Sequence, residues 1–86
     1  MNETIDEKVS VLTLYDQQKG EAVPVKIKWK TKTYSINQIG MHYTKREGRD
    51  LHHIFCVTSG GLAFKLNLST ENLHWVLEEI SDGLTA

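Results

Sequence analysis

Residues 51–68 read LHHIFCVTSGGLAFKLNL, and this stretch decides the fold class. Its first part, Leu51 to Thr58, has apolar residues at both odd and even positions, which is typical of a strand buried on both faces. Ser59-Gly60-Gly61 then has the composition of a hairpin turn. The part that follows alternates in polarity, with apolar side chains at Leu62, Phe64, Leu66 and Leu68. The stretch therefore predicts an antiparallel hairpin whose first strand is central in a sheet.

A second hairpin is predicted upstream. Residues 23–30 alternate apolar and mostly basic side chains, the pattern of a strand with one buried face. Pro24 stands near the start of this strand, where a missing N–H group is tolerated. A two-residue loop at Thr31-Lys32 would place Trp29 opposite Tyr34, whereas a longer loop is the alternative because Thr-Lys suits a two-residue hairpin turn poorly. We therefore expect an aromatic cross-strand pair on the buried face.

Composition predicts the remaining strands and loops. Residues 33–39 form the second strand of the upstream hairpin in this prediction. Residues 9–15 are β-branched and apolar enough for a further strand, which ends in a turn at residues 16–20. Residues 44–50 are polar and are predicted to be a loop.

The C-terminal segment leaves two alternatives open. Apolar residues recur at helical spacing, which predicts a helix over residues 70–81 and an α+β fold. These residues are Leu73, Val76, Leu77 and Ile80. However, Trp75 and Leu77 also alternate, and a turn at residues 69–72 would make residues 51–80 a three-stranded meander.

Three short motifs carry a family resemblance. They are Trp29 with Tyr34 five positions later, the hairpin at residues 57–61, and the closing W-x-L-x-x-I-x-D motif of residues 75–82. Together they resemble a family of small bacterial domains of unknown function, some of which are associated with Y-family translesion polymerases. The resemblance implies that the closing motif is a strand, which favours the all-β alternative over the helix. It also implies DNA-associated biology.

The sequence thus predicts a single all-β domain over residues 1–86. We expect a small, partly open antiparallel barrel or bent sheet of about five or six strands. Residues 1–7 and 83–86 are expected to be frayed. The predicted core consists of Val11, Val25, Ile27, Trp29, Tyr34, Ile36, Phe55, Val57, Phe64, Leu66, Trp75 and Leu77.

Composition excludes several classes of protein. The 86-residue chain is 40% hydrophobic, which is too apolar for a disordered tail and sufficient for one core. Its single cysteine, Cys56, excludes an internal disulfide. The acidic N-terminus is unlike a signal peptide, and no apolar stretch reaches the roughly 20 residues of a membrane helix. We therefore expect a cytoplasmic protein with no membrane partner.

Charge is unevenly distributed along the chain, although the formal net charge is only −1. Residues 22–49 carry a net charge of +6, whereas residues 1–21 carry −3 and residues 66–86 carry −4. Basic side chains near an exposed ring are typical of single-stranded nucleic-acid binding, because cations contact phosphates and rings stack on bases. The candidate contacts are Lys26, Lys28, Lys30, Lys45, Arg46 and Arg49, with Tyr43 as the stacking ring. The alternative is a solvated strand face whose lysines protect a sheet edge from aggregation.

No residue pattern points to catalysis, a metal or a cofactor. Cys56 lies in an apolar strand, where burial raises the pKa of a thiol and lowers its reactivity. Glu78 and Glu79 are adjacent and face opposite sides of a strand. The histidines lack metal-ligand spacing, so only cross-strand convergence, for example of His53 with His74, could build a zinc site. We predict no enzymatic activity, no bound metal and no cofactor.

The predicted function is that of a non-catalytic binding module. Its first candidate partner is single-stranded nucleic acid, with an acidic protein as a second ligand for the same basic residues. The alternative is a protein–protein interaction or self-assembly module that uses open sheet edges. A monomer or a weak homodimer is the expected state.

Overall fold

A computed structural model describes residues 2–82 and shows one antiparallel sheet of seven strands. The strands are β1 (Asn2–Asp16), β2 (Glu21–Trp29), β3 (Lys32–Ser35), β4 (Gln38–Glu47), β5 (Asp50–Ser59), β6 (Leu62–Ser69) and β7 (Trp75–Ser81). Their order across the sheet is β3-β2-β1-β7-β6-β5-β4. The predicted all-β class is confirmed, and the strand count is slightly higher than expected.

The C-terminal segment is a strand, so the alternative of a helix over residues 70–81 is wrong. A turn closed by the Leu73 N–H, which donates to the Ser69 carbonyl at 2.8 Å, precedes β7. Leu77 of β7 then lies opposite Leu66 of β6, and both side chains are buried. A strand forms because β6 and β1 satisfy the backbone groups of β7 from both sides.

The chain ends were expected to be frayed. Residues 2–7 lie in β1 and pair with β7, starting with Asn2 opposite Ser81. Residues 83–86 lie outside the described part of the chain. Between residues 2 and 82, no helix is long and apolar enough to cross a membrane.

β1 connects the two halves of the sheet. Residues 2–9 pair with β7, whereas residues 10–16 pair with β2. The register shifts near Asp6, which has a left-handed φ of 51°, and again after Leu12. Such bulges bend a strand and increase its twist. The sheet therefore curls into a half-barrel.

The passage from β3 to β4 ties the two edges of the half-barrel together. The Ile36 N–H donates to the Val25 carbonyl of β2 at 2.9 Å, and the Asn37 N–H donates to the Thr58 carbonyl of β5 at 2.8 Å. The predicted strand over residues 33–39 therefore belongs to two strands, β3 and β4, which form the opposite edges of the sheet.

The core lies inside the half-barrel. Its buried side chains are Ile27, Phe55, Val57, Phe64, Leu66, Trp75 and Leu77, all of them in the predicted core. Four further predicted residues are partly buried against this core, namely Val11, Trp29, Tyr34 and Ile36. Val25 is half-buried. The Tyr34 and Phe64 rings pack with their centroids 5.0 Å apart, which adds aromatic contact to the area they bury.

The β2–β3 turn differs from the predicted loop by one position. The turn residues are Lys30-Thr31, because Lys30 adopts a left-handed φ of 58° and β2 ends at the residue before it. Tyr34 consequently lies opposite Ile27. The predicted pairing of Tyr34 with Trp29 is wrong, although both rings face the core.

The polar segment at residues 44–50 is not a loop as predicted. β4 continues through Glu47, and only Gly48-Arg49 form a turn, where Gly48 has a left-handed φ of 62°. β4 is an edge strand that is exposed along its whole length. It therefore lacks the alternation in polarity by which a half-buried strand is recognised in a sequence.

Candidate binding surfaces

The predicted basic residues form two groups, one on β2 and the β2–β3 turn and the other on the edge strand β4 and the turn that follows it. Lys26 and Lys28 project from the outer face of β2, on either side of the buried Ile27. Lys30 lies in the β2–β3 turn, with its Nζ 4.9 Å from the centre of the Trp29 ring. The second group lies on β4 and the turn that follows it, and consists of Lys45, Arg46 and Arg49.

The basic residues of β4 do not share one face. Lys45 lies opposite His52 and Arg46 lies opposite Leu51, so the two successive basic side chains point to opposite sides of the sheet. The Nζ of Lys45 is 3.4 Å from an Oε1 of Glu47, and both side chains are more than half exposed. Such an exposed ion pair contributes little to stability.

Contacts across the open side of the half-barrel fix the relative direction of the two groups. Val25 of β2 accepts a hydrogen bond from Ile36, just before β4 begins. Glu21, at the start of β2, lies 3.8 Å from His42 within β4. β2 and β4 therefore pass each other in opposite directions. The basic residues of β2 follow Val25 in the chain, and those of β4 follow His42. Because the two strands run in opposite directions, the two basic groups lie at opposite ends of this contact region and do not share one surface.

Tyr43, the predicted stacking ring, lies on the outer face of β4 opposite Ile54. Tyr43 is 39% exposed, whereas Ile54 is 1% exposed. Burial alone would lower the pKa of Lys65, but the charges of Tyr43, Glu78 and Glu79 outweigh it and raise that pKa. Tyr43 therefore lies on the outer face, opposite the buried Ile54.

A chain of hydrogen bonds crosses the outer face of β5, β6 and β7. The Ser69 hydroxyl donates to Oδ2 of Asp50 at 2.9 Å, and the same oxygen lies 3.0 Å from Nε2 of His52. Nδ1 of His52 contacts Oδ1 of Asn67 at 2.7 Å, and the Asn67 amide donates to Oε2 of Glu78 at 2.6 Å. We call these five residues the outer-face chain.

The outer-face chain resembles a catalytic triad in composition but not in connectivity. The Ser69 hydroxyl contacts Asp50 and not His52, so it lacks the contact between a nucleophile and its base on which a serine hydrolase depends. Sequence reasoning missed this chain because it is assembled from three strands. Only the pairing register, such as His52 opposite Ser69, brings its members together.

A second polar cluster lies at the open side of the half-barrel. Nε2 of His42 and Nδ1 of His53 are 2.9 Å apart, and the His42 ring stacks on Phe55 with centroids 4.1 Å apart. Burial lowers the pKa of His53, and the charge of His42 adds to this effect, while Glu21 opposes it. A cavity of about 170 Å³ opens here, lined in part by Leu68.

Two of the histidines, His42 and His53, lie side by side on neighbouring strands. His53 meets His42 across the strands, rather than His74 as considered from the sequence. Within residues 2–82, no three His, Cys, Asp or Glu side chains are grouped so as to hold a metal ion. The half-buried Cys56 has a raised pKa, because burial outweighs the opposing charge of Lys65.

The second half of β1 has a free edge. Among the described strands, residues 10–16 pair only with β2, because β7 begins with Trp75 opposite Val9. Leu12, Leu14 and Tyr15 on this segment are 60%, 60% and 65% exposed. We call residues 10–16 the free β1 edge. Sequence reasoning predicted a strand here but missed its exposure, which depends on where β7 begins.

A groove adjoins the free β1 edge at its N-terminal end. Its volume is about 440 Å³. The side chain of Leu73 borders it, 70% exposed on a residue with a left-handed φ of 61°. The other lining residues are Lys8, Val9, Ser10, Val11, His74 and Trp75.

β4 forms the second exposed edge. All ten of its residues are exposed, including the apolar side chains of Ile39, Met41 and Tyr43. The register shifts between Ile39 and Met41, which marks a bulge that interrupts the edge. The opposite edge of the sheet, β3, is only four residues long and begins with Lys32.

Comparisons of the chain with protein-family models, curated proteins and solved structures found no match.

Proposed function

We propose that this protein is a non-catalytic module that binds other polypeptide chains through the open edges of its sheet. The observation that carries this proposal is the free β1 edge, a run of seven strand residues with exposed leucines and, among the described strands, no partner on the side away from β2. An unpaired edge offers a row of backbone N–H and C=O groups to an added strand. Apolar side chains next to that row increase the area that such a strand would bury.

The distribution of protective features supports this proposal. Edges that must not bind are usually short, charged or interrupted by bulges. β3 is short and basic, and β4 has a bulge and ends in charged residues. The segment from Val9 to Tyr15 carries no charge, no proline and no glycine. It therefore lacks the charged side chains that protect β3 and β4, and the register shift at Leu12 and Thr13 lies in its pairing with β2.

The surroundings of Ser69 and of Cys56 support a non-catalytic role. The Ser69 hydroxyl is engaged with Asp50. The Cys56 thiol has a raised pKa, so little of the reactive thiolate forms at neutral pH. The single cysteine is also what a chain in the reducing cytoplasm carries, and we infer that compartment.

Selection from a displayed library of random peptides of about 12 residues tests the proposal, because a seven-residue edge needs a strand of comparable length. We expect the retained peptides to slow amide hydrogen exchange along one open edge. Leu12→Lys and Met41→Lys serve as matched variants, since they alter the free β1 edge and β4 separately. Failure to retain any peptide, together with a monomeric mass at every concentration, would contradict the proposal.

A second candidate is single-stranded nucleic acid, bound by the basic residues of β2. Lys26 and Lys28 are exposed, and within the described residues no carboxylate lies within salt-bridge distance of them. This leaves their charges available for phosphates. The resemblance to a polymerase-associated family points the same way and stays a prediction.

Fluorescence anisotropy of a labelled single strand tests this candidate, at about 50 and 200 mM salt with a duplex control. Replacing Lys26 and Lys28 with glutamate should weaken binding and flatten its dependence on salt. The matched control replaces Lys45 and Arg46, on the other edge of the sheet. Equal losses of affinity in the two variants would mean that the net charge of the protein, and not the β2 surface, governs binding.

A further inference from the structure

The free β1 edge has two defined ends. It begins at Ser10, directly after the last pair with β7, and finishes at Asp16, where the turn to β2 starts. Thr13 is its central residue. An added strand can cover the whole edge only if it spans these seven positions.

We propose that the free β1 edge pairs antiparallel with the same edge of a second copy of this chain. This inference rests on the proposed function and names its partner. Complete overlap of two such edges allows one register, in which Thr13 lies on the two-fold axis between the copies. Ser10 of each copy then lies opposite Asp16 of the other.

This register is self-complementary in side-chain chemistry. It places Leu12 of each copy opposite Leu14 of the other and Val11 opposite Tyr15. Directly opposed side chains in an antiparallel pair lie about 4.5–5.5 Å apart at Cβ, so these apolar groups would be in contact. The exposed leucines, 60% accessible in the single chain, would thereby be covered.

Charge also favours a second copy over a charged peptide. Residues 9–15 carry no ionisable group except the Tyr15 hydroxyl, so self-pairing brings no like charges face to face. At each end, Asp16 of one copy lies diagonally across from Lys8 of the other. A diagonal neighbour is within reach of a lysine side chain. The symmetry produces this opposite-charge contact twice.

The groove beside the edge provides room for the second copy. In the proposed register, the β1–β2 turn of the second copy arrives next to Val9 and Trp75, where the groove of about 440 Å³ opens. The exposed Leu73 side chain borders that space. Because the paired edge is only seven residues long, we expect a weak dimer rather than an obligate one.

A disulfide across the two-fold axis tests the register. Thr13→Cys, in a Cys56→Ser background, should oxidise to a linked dimer, because the two residues oppose each other at a distance that a disulfide can span. Thr33→Cys on the exposed strand β3 is the matched control. We expect linkage of the first variant to be roughly tenfold faster or more, since pairing raises the effective thiol concentration. Equal rates for the two variants would overturn the register.

Charge reversal tests the surface independently. Leu12→Lys/Leu14→Lys should abolish self-association in sedimentation experiments, because lysines then oppose one another across the dimer. Leu12→Glu/Leu14→Glu should do the same. An equimolar mixture of the two variants should dimerise again, because each lysine then faces a glutamate. Circular dichroism of each variant verifies its fold, and recovery in the mixture also shows that both are competent to pair.

The alternative outcomes separate this inference from the proposed function. If Met41→Lys abolishes self-association and the Leu12/Leu14 variants do not, the copies pair through β4, and the inference is overturned while the edge-binding function stands. If the protein is monomeric up to about 1 mM but binds selected peptides, the partner is another polypeptide and self-pairing is overturned. A monomer that also retains no peptide contradicts both proposals.

Discussion

His53 illustrates how neighbouring residues set the charge of one side chain. It is half-buried, and Nε2 of His42 lies 2.9 Å from its Nδ1. Burial and the charge of His42 both disfavour its protonated form, and Glu21 offsets them only in part. The pKa of His53 is therefore below the ordinary value of 6.5 in the folded chain.

This lowered pKa predicts a pH-dependent stability. The unfolded chain binds a proton at His53 more readily than the folded chain does. The contribution of His53 to the free energy of unfolding is therefore fully present above pH 6.5, the ordinary pKa, and is lost as the pH falls through the lowered pKa of the folded chain. Urea unfolding of the wild type between about pH 7.5 and 5.5 should thus show a larger loss of stability than that of His53→Gln. Parallel pH profiles for the two proteins would contradict the assignment.

At the scale of single strands, β6 is buried on both of its faces, unlike a strand with one apolar face and one face in solvent. Phe64 and Leu66 point into the core, while Asn67 and Ser69 on the same strand are 9% and 6% exposed. Asn67 is held between His52 and Glu78 on the outer face. Buried polar groups with complete hydrogen bonding fix the register of a strand, because a one-residue slip would leave them unpaired.

We therefore expect Asn67→Ala to cost about 1–3 kcal/mol of unfolding free energy, since it leaves His52 and Glu78 without a shared partner. Gln17→Ala in the exposed β1–β2 turn is the control and should change stability by less than about 0.5 kcal/mol. Chemical denaturation of both variants measures the difference. Similar denaturation midpoints for the two variants would mean that water replaces the Asn67 amide without loss of unfolding free energy.

Strand-level prediction from the sequence succeeded where a strand had one or two buried faces. The hairpin of β5 and β6 with its glycine turn was predictable because burial imposes alternation and a tight turn requires residues such as Gly60, whose φ is 61°. β4 was not predictable, because an exposed edge strand imposes no polarity pattern. The helical spacing of residues 73–80 was misleading for a related reason, since half-buried β7 carries apolar residues on both faces.

At the scale of the whole molecule, a few long-range contacts hold the half-barrel in its curved form. Asn37 makes two of them, because its N–H donates to the Thr58 carbonyl at 2.8 Å and its side-chain oxygen accepts from the Gly60 N–H at 2.7 Å. These bonds tie the passage from β3 to β4 to the hairpin of β5 and β6. Residues 10–16 of β1 take no part in these bonds, and their edge stays free, as does that of β4.

Removing the hydrogen bond that the Asn37 side chain accepts from Gly60 should loosen the attachment of the β3–β4 passage to the hairpin of β5 and β6. We expect Asn37→Ala to cost about 0.5–1.5 kcal/mol and to speed amide exchange at residue 37. Asn72→Ala is the matched control, because the Asn72 side chain also accepts a backbone hydrogen bond, but from His74 only two residues away. If both variants accelerate exchange at residue 37 equally, the closure does not depend on Asn37.

The sequence by itself determined the hairpin of β5 and β6 and most of the core, because burial leaves a local polarity pattern that can be seen without a structure. Its polarity pattern left an α+β fold open beside the all-β one. It also supplied the candidate basic residues. Only the tertiary structure decided that the basic residues of β2 and β4 diverge, that five polar side chains form the outer-face chain, and that residues 10–16 keep a free edge. These features depend on strand order and register, which arise from pairing between residues far apart in the chain, and no local pattern encodes them.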